Sequence, residues 1–424
     1  MNTILIKFSE FFIIFLPLAL ITGPVLSEIS INFISLIFLY NLFKNFNHKL
    51  YFRNLVIGII FTFYLICIVS SIFSDATSYS LKTSIPYFRF LLFSIACSWF
   101  IHRNPNILLK IYYSLLFCFV ILIFFAFVEH FTQYNVIYGK QFRSDRLSSL
   151  FGDELILGSY LSRFFPLLLG FWFTKDFFLK NKKNYFSLIL IVFVPVIVFL
   201  SGERTSFFFI IVGLLGFLFF FNFAYKKKIL LIFSISGIIL LFVSTSDTVK
   251  KNTIDRTINQ IKPSSEKVYF FSDEHHALAN SSIKIFKDNF ILGSGPKTFR
   301  IKCRENEYIV KNKERVFGCY THPHNTYLQI LAETGIIGFM FILILFLILI
   351  SNLLNFFVKK YFYNHYIFDN FKVGCLLCFL ISLFPVVPSG NFFNNYLNIM
   401  YYYPLGIYLG YNFLSKKIIN EKNF

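Results

Sequence analysis

The sequence predicts an all-α polytopic membrane protein, with about 12 transmembrane helices and one large outward loop between helices 9 and 10. Three observations predict it. The 424 residues are 56% hydrophobic and only 14% charged, against roughly a quarter charged in a soluble domain. The apolar residues fall into runs of about 16–22, the length that crosses a ~30 Å hydrocarbon core as helix. The basic residues collect in alternate short loops between those runs, which is the positive-inside signature.

The runs lie near 11–27, 29–43, 55–73, 85–101, 108–128, 154–174, 185–200, 205–223, 229–245, 330–357, 373–388 and 396–414. Pro17, Gly23 and Pro24 interrupt the first, and Ser201-Gly202-Glu203-Arg204 joins the seventh to the eighth in a tight turn. No small-residue cleavage site follows the first run, so it reads as a span and not as a signal peptide. With the N-terminus inside, the inward loops are 44–54, 102–110, 175–184, 224–228 and 358–372, with the C-terminal tail. Each carries at least two Lys or Arg, whereas the short outward loops 74–84 and 388–395 carry one and none.

Two outward segments are longer, 129–153 and 246–323, the second about 78 residues. Loops of that length are functional or have structure of their own. The amphipathic stretch HHALANSSIKIFKDNF, stopped by Gly293-Ser294-Gly295-Pro296, predicts short helices at the outer membrane surface. The chain therefore divides into 1–245 (helices 1–9), 246–323 (the large loop) and 324–424 (helices 10–12). The formal net charge of +19 does not indicate nucleic acid, because the lysines sit in short loops between spans and not on an aromatic-interleaved basic surface.

Of seven cysteines, Cys67, Cys97, Cys118, Cys375 and Cys378 lie within apolar runs and read as small core residues. Cys303 and Cys319 both lie in the large outward loop, where an oxidising compartment favours a disulfide. Such a bond would pin the neighbouring segment, which carries His322 and His324.

Eleven of the 40 basic Lys and Arg residues are Arg. Arg53 and Arg103 fall in inward loops; Arg89, Arg143, Arg146, Arg163, Arg204, Arg256, Arg300, Arg304 and Arg315 are on the outer side or in the outer halves of spans. This opposes the positive-inside trend, so a local demand outweighs it. Arg captures phosphate oxygens in a bidentate fork and stays charged when partly buried, so the cluster points to an anionic ligand such as a lipid-linked diphosphate. Plainer readings stand beside this one. Arg89 and Arg163 could pair with Glu129, Asp153 or Glu154 for packing, and Arg256, Arg300, Arg304 and Arg315 could be solvated charges. Arg204 stands out because it sits in the Ser201–Arg204 turn, where small residues let a ligand come close. Arg146, in RLSSLFGDE, comes next.

The segment THPHNTYLQILAETGIIGFMF places His322, His324, Asn325 and Glu333 at the start of a predicted span. Ionisable groups there are functional candidates. Three readings compete. A metal could bind, with His275 and His276 in the same loop, but no third or fourth ligand lies at a usual spacing. Asn325 could be a helix N-cap. The favoured reading is catalysis: a near-neutral His takes the proton from a hydroxyl nucleophile, and Arg stabilises a phosphate leaving group. No G-x-S-x-G, D-x-D, Walker or dinucleotide-binding pattern occurs, so nucleophilic Ser chemistry and the use of nucleotide sugars or ATP are not indicated, and no cofactor is expected.

Three segments resemble the O-antigen ligase family, which also includes O-antigen polymerases. His324-Asn325, nine residues and then Gly335-Ile336-Ile337-Gly338 is similar to the family's His-Asn-x9-Gly pattern at a late span. Ser201-Gly202-Glu203-Arg204 is similar to its S-G-x-R turn, and Phe290–Phe299 to its apolar-G-x-G-x-x-x-F stretch. Arg146–Phe151 is a weaker fourth match, and Asp153-Glu154 stands where relatives often have Pro-Asn.

The resemblance implies a metal-independent inverting glycosyltransferase in the bacterial inner membrane, with its large loop and active site facing the periplasm. The implied donor is a glycan on undecaprenyl diphosphate. The acceptor would be a sugar hydroxyl of lipid A-core in a ligase, or a growing lipid-linked glycan in a polymerase; a protein acceptor is a further alternative. By the same resemblance His324 is the general base and Arg204 holds the diphosphate. A large-loop Arg assists, with Arg300 preferred over Arg256 and Arg304, while Arg146, His322 and Asn325 complete the substrate contacts. A polysaccharide transporter, the alternative from another class, predicts paired repeats and charged sites at the membrane midplane; neither is evident.

Overall fold

The computed structural model describes residues 3–44, 51–141, 146–174, 185–246, 249–255, 258, 273–312, 315–316, 318–362 and 369–422. The helices, in order, are α1 (Thr3–Thr22), α2 (Pro24–Lys44), α3 (Leu55–Ile72), α4 (Thr77–Arg103), α5 (Asn106–Thr132), α6 (Leu157–Phe173), α7 (Tyr185–Leu200), α8 (Arg204–Phe220), α9 (Tyr225–Thr245), α10 (Asp273–Asp288), α11 (Phe299–Lys302), α12 (Thr326–Phe362), α13 (Asn370–Ser382) and α14 (Asn395–Lys422). Two short antiparallel ladders, Tyr134–Asn135 with Lys140–Gln141 and Lys311–Asn312 with Arg315–Val316, are the extended pairs among the described residues.

Each predicted apolar run coincides with a helix, because lipid offers no partner to an open backbone and helix satisfies every N–H and C=O within the run. Among the described residues seven helices, α1–α5, α9 and α12, are long and apolar enough to cross a membrane. The chain is thus a multi-pass membrane protein. Its outer surface fits that setting: Leu36, Phe43, Phe117, Phe124, Phe233 and Leu240 are exposed, a pattern that water would not tolerate over so large an area.

Boundaries differ from the sequence reading in three places. The first helix ends at Thr22 and the second starts at Pro24, so the break falls at Gly23 and not after residue 27. The run expected to reach residue 388 ends as helix at Ser382; Pro385 and Pro388 lack the N–H to continue it. The tenth run is not one uninterrupted helix. Backbone at Gly335 (φ 65°, ψ −168°) breaks α12 into 326–334 and 336–362.

The bundle packs closely where small residues meet. Gly406 and Gly410 of α14 face Ser94, Cys97, Ser98 and Ile101 of α4. A Cβ on Gly406 would lie 2.8 Å from the Ser94 carbonyl oxygen, so only Gly lets the two backbones approach this far. Likewise α13 packs against α6, and α12 against α3. In the large loop α10 lies against α12, which brings the loop to the end of the bundle where α3 meets α4 and α7 meets α8.

Candidate functional site

The two glycine-bearing motifs are locked to each other. Ser294 and Gly295 N–H donate to the carbonyls of Ala332 and Glu333 (both 2.9 Å), and Ile336 N–H donates to the Phe290 carbonyl (2.9 Å). The α3 and α4 helices hold the same turn. Ser70 Oγ donates to the Glu333 carbonyl (2.9 Å), Ser74 Oγ to that of Ser294 (2.5 Å), and Ser80 Oγ to that of Pro296 (3.1 Å). A loop attached only by exposed contacts could drift, whereas this one is anchored through buried hydroxyls.

Glu333, fully buried, organises the start of α11. Its carboxylate accepts from Lys297 N–H (2.9 Å), Phe299 N–H (3.0 Å) and Gln329 Nε2 (3.0 Å). Thr298, the N-cap of α11, makes no side-chain cap bond; the Glu333 carboxylate fills that role at the helix's positive end. This sets the direction of Arg300. Lys302 Nζ is paired with Asp75 (2.6 Å), which ties α11 to the α3–α4 turn. A disulfide joins Cys303, directly after α11, to Cys319, so the Arg300 helix and the histidine segment are covalently linked.

The rings of His322 and His324 lie 4.2 Å apart, and His275 from α10 stands 5.6 Å from His324 on another side. Tyr320 is 5.8 Å from His324. His322 is 9% exposed and used on both nitrogens, by Thr321 Oγ1 (2.9 Å) and the Ser389 carbonyl (3.2 Å). Burial, then the neighbouring His324 and Arg300, push its pKa down to about 4. His324 is half-buried, and its imidazole makes no hydrogen bond among the described residues. Burial and then His275 lower its pKa as well, with Glu274 opposing. These influences favour the neutral imidazole, and its ring is uncommitted, the state a general base requires.

The His324 backbone is left-handed (φ 53°), and its carbonyl accepts from Ser389 N–H (2.8 Å). Asn325 is an N-cap: Oδ1 accepts from Tyr327 and Leu328 N–H (both 3.0 Å), while Nδ2 donates to the Pro385 carbonyl (2.8 Å). Both ends of its amide are engaged, so Asn325 holds the His324 turn against the 383–394 connection.

Arg204 opens α8 beside His275, whose pKa burial lowers first and Arg204 lowers further, against Glu274. The turn before it is held by Glu203, whose carboxylate accepts from Gly158 N–H (2.6 Å), Ser159 N–H (3.0 Å) and Ser206 Oγ (2.8 Å). Arg146 lies within electrostatic reach of Glu203. Arg300 lies within reach of both His322 and Glu333, with a buried Nε that has no partner among the described residues, while Arg304 is exposed. Arg143 and Arg256 lie outside the described residues, as does the Arg315 side chain.

The pairings suggested for the other arginines differ. Arg89 pairs with Glu28 (3.0 Å), Asp153 pairs with Lys140 (2.8 Å), and Glu129 accepts from Ser148 and Ser149 N–H. The fold thus gathers Arg204, His275, His324, His322 and Arg300 in one neighbourhood and sets Arg146 behind Glu203.

Residues 187–343 match the family model described as O-Antigen ligase. This segment is similar to the O-antigen ligase domain. No curated protein gives a significant match to the chain. The matched segment spans the Arg204 turn, the Gly293 turn, both histidines and Gly335, and it ends within α12. Ser389, which fastens the histidine segment, is contributed from outside it. The family supports a membrane glycan-handling enzyme of the ligase/polymerase class. Reading the sequence alone left His275 only as a metal candidate and gave Glu333 no role. Glu333 carried a usable signal, an acid inside a predicted span; His275 carried none, since its proximity to His324 arises from packing of α10 on α12.

Proposed function

We propose that the chain is an O-antigen ligase: a metal-independent inverting glycosyltransferase that moves a glycan from undecaprenyl diphosphate to a sugar hydroxyl of lipid A-core. In this reading twelve helices cross the bacterial inner membrane, and the 246–323 loop and the site face the periplasm; the Lys and Arg of the opposite loops support that orientation. His324 Nδ1 or Nε2 takes the acceptor hydroxyl proton as the oxygen attacks the anomeric carbon. The new glycosidic bond forms while the bond from that carbon to the diphosphate oxygen breaks, and the electron pair leaves with the diphosphate. Arg204 and Arg300 bind that leaving anion. His322 and Asn325 hold His324 in place, and Arg146 supports the Arg204 turn through Glu203.

The observation that carries this reading is the uncommitted, neutral imidazole of His324 between two Arg-bearing elements. The test is reconstitution with undecaprenyl-diphosphate glycan and lipid A-core in the presence of EDTA. Ligated product that disappears in His324→Ala and Arg204→Ala supports it; full activity in His324→Ala sinks it. Chain elongation without core would favour a repeat-unit polymerase, which uses the same chemistry on another acceptor.

A further inference from the structure

One buried cation has no part in that scheme. Arg163 lies about two turns into α6 and is 4% exposed. Its Nη1 donates to Ser159 Oγ (2.5 Å) and to the Ser159 carbonyl (3.3 Å), and its guanidinium carbon stands 4.8 Å from the Phe209 ring. Among the described residues no carboxylate lies at ion-pair distance. Glu203, the acid within electrostatic reach, is already taken by Gly158, Ser159 and Ser206. Among the described residues Nε of Arg163 is buried with no acceptor, and so is the hydroxyl of Tyr396, which lies in the field of the same guanidinium.

An Arg side chain does not shed its proton to escape burial, and a buried charge without a counter-charge is strongly disfavoured. Packing against Phe209 and the Ser159 contacts account for one face and one nitrogen. They leave Nε–H and Tyr396 O–H as two donors wanting an acceptor. Arg163 and Arg204 also flank one structure: Ser159 touches the Arg163 guanidinium with its side chain and the Glu203 carboxylate with its N–H, and Glu203 is bonded in sequence to Arg204.

We infer that Arg163 and Tyr396 form the inner half of a two-part diphosphate site, Arg204 with Arg300 engaging one phosphate and Arg163 with Tyr396 the other. This rests on the reading of a lipid diphosphate donor and adds a binding residue to it. Two cations on either side of the Glu203 turn match a ligand with two anionic groups, and a monophosphate would satisfy only one of them.

The test is binding by the purified full-length chain, followed by thermal shift and by inhibition of glycan transfer, with undecaprenyl diphosphate and undecaprenyl monophosphate as probes and inorganic pyrophosphate as the lipid-free control. Wild type should prefer the diphosphate lipid. Arg163→Met should lose about tenfold or more of that preference, the worth of one hydrogen bond to a charged group, with monophosphate binding unchanged. Its ligand-free Tm should match or exceed wild type, since an uncompensated charge has been removed. Arg163→Lys and Tyr396→Phe should lose part of the preference, and they keep the proposal testable if Arg163→Met does not fold. Undiminished diphosphate preference in these variants overturns it, as does a lowered Tm with equal loss for both lipids, which is the mark of a structural role. Failure of wild type to bind either lipid would instead remove the donor reading beneath it.

Discussion

Gly293 and Gly335 occupy each other's side-chain space. Both have left-handed φ (69° and 65°), and a Cβ on Gly335 would lie 2.6 Å from the Gly293 nitrogen. The loop turn and the break in α12 are therefore one structure, and the directions of Arg300 and His324 both depend on it.

Gly335→Ala and Gly293→Ala should each destabilise the protein by about 1–3 kcal/mol, the cost of a strained backbone position, with clash added. Because the two glycines share one contact, the double variant should cost less than the sum. Thermal unfolding in detergent of the two single variants and the double variant checks this; strict additivity would mean that the turns are independent.

The pH dependence is set by the histidines. The reaction needs neutral His324, whose pKa is lowered by burial and then by His275. Activity should therefore be intact at neutral pH and be lost as pH falls through a value below the ordinary histidine pKa of about 6.5. His275→Ala removes a lowering influence, so the acid limb should move to higher pH. A profile of kcat/KM for both proteins measures it, and an unmoved limb would remove His275 from the site.

Glu333→Ala should be more damaging than Glu333→Gln. The alanine leaves Lys297 N–H, Phe299 N–H and Gln329 Nε2 without their acceptor, and each lost bond to a charged group is worth roughly 1.5–3 kcal/mol. Glutamine keeps one oxygen but turns an NH2 toward a backbone donor. Tm and glycan-transfer rate should fall together in the order wild type, Gln, Ala; equal behaviour of the two variants would contradict the capping role at α11.

Reduction of Cys303–Cys319, or Cys303→Ser, should release the histidine segment from α11. Chain-entropy reasoning for a loop of this size gives about 3 kcal/mol. Transfer activity should drop with dithiothreitol in wild type and be insensitive to it in the double Ser variant. Mass spectrometry after alkylation without reductant establishes the bond, and two labelled thiols in the native protein would exclude it.

By itself the sequence determined where the helices lie and which residues were worth watching. Run length and loop charge are local properties, and lipid leaves the backbone no alternative to helix. The H-P-H-N cluster, the Ser201–Arg204 turn and the outer-side arginines were legible because polar groups stand out against an apolar background. What the tertiary structure decided depends on distant partners. Hydropathy cannot register a break at Gly335, since the glycine sits in an apolar run and is shaped by backbone from residues 290–293. Arg300 and Arg304 read alike in sequence; the placement of α11 by Glu333 turns one toward His322 and leaves the other in solvent. His275 joins His324 only because α10 packs on α12, and among the described residues Arg163 has no ion-pair partner while Glu203 accepts from the N–H groups that open α6. In each case the deciding interaction is a hydrogen bond or a steric contact between segments far apart in the chain.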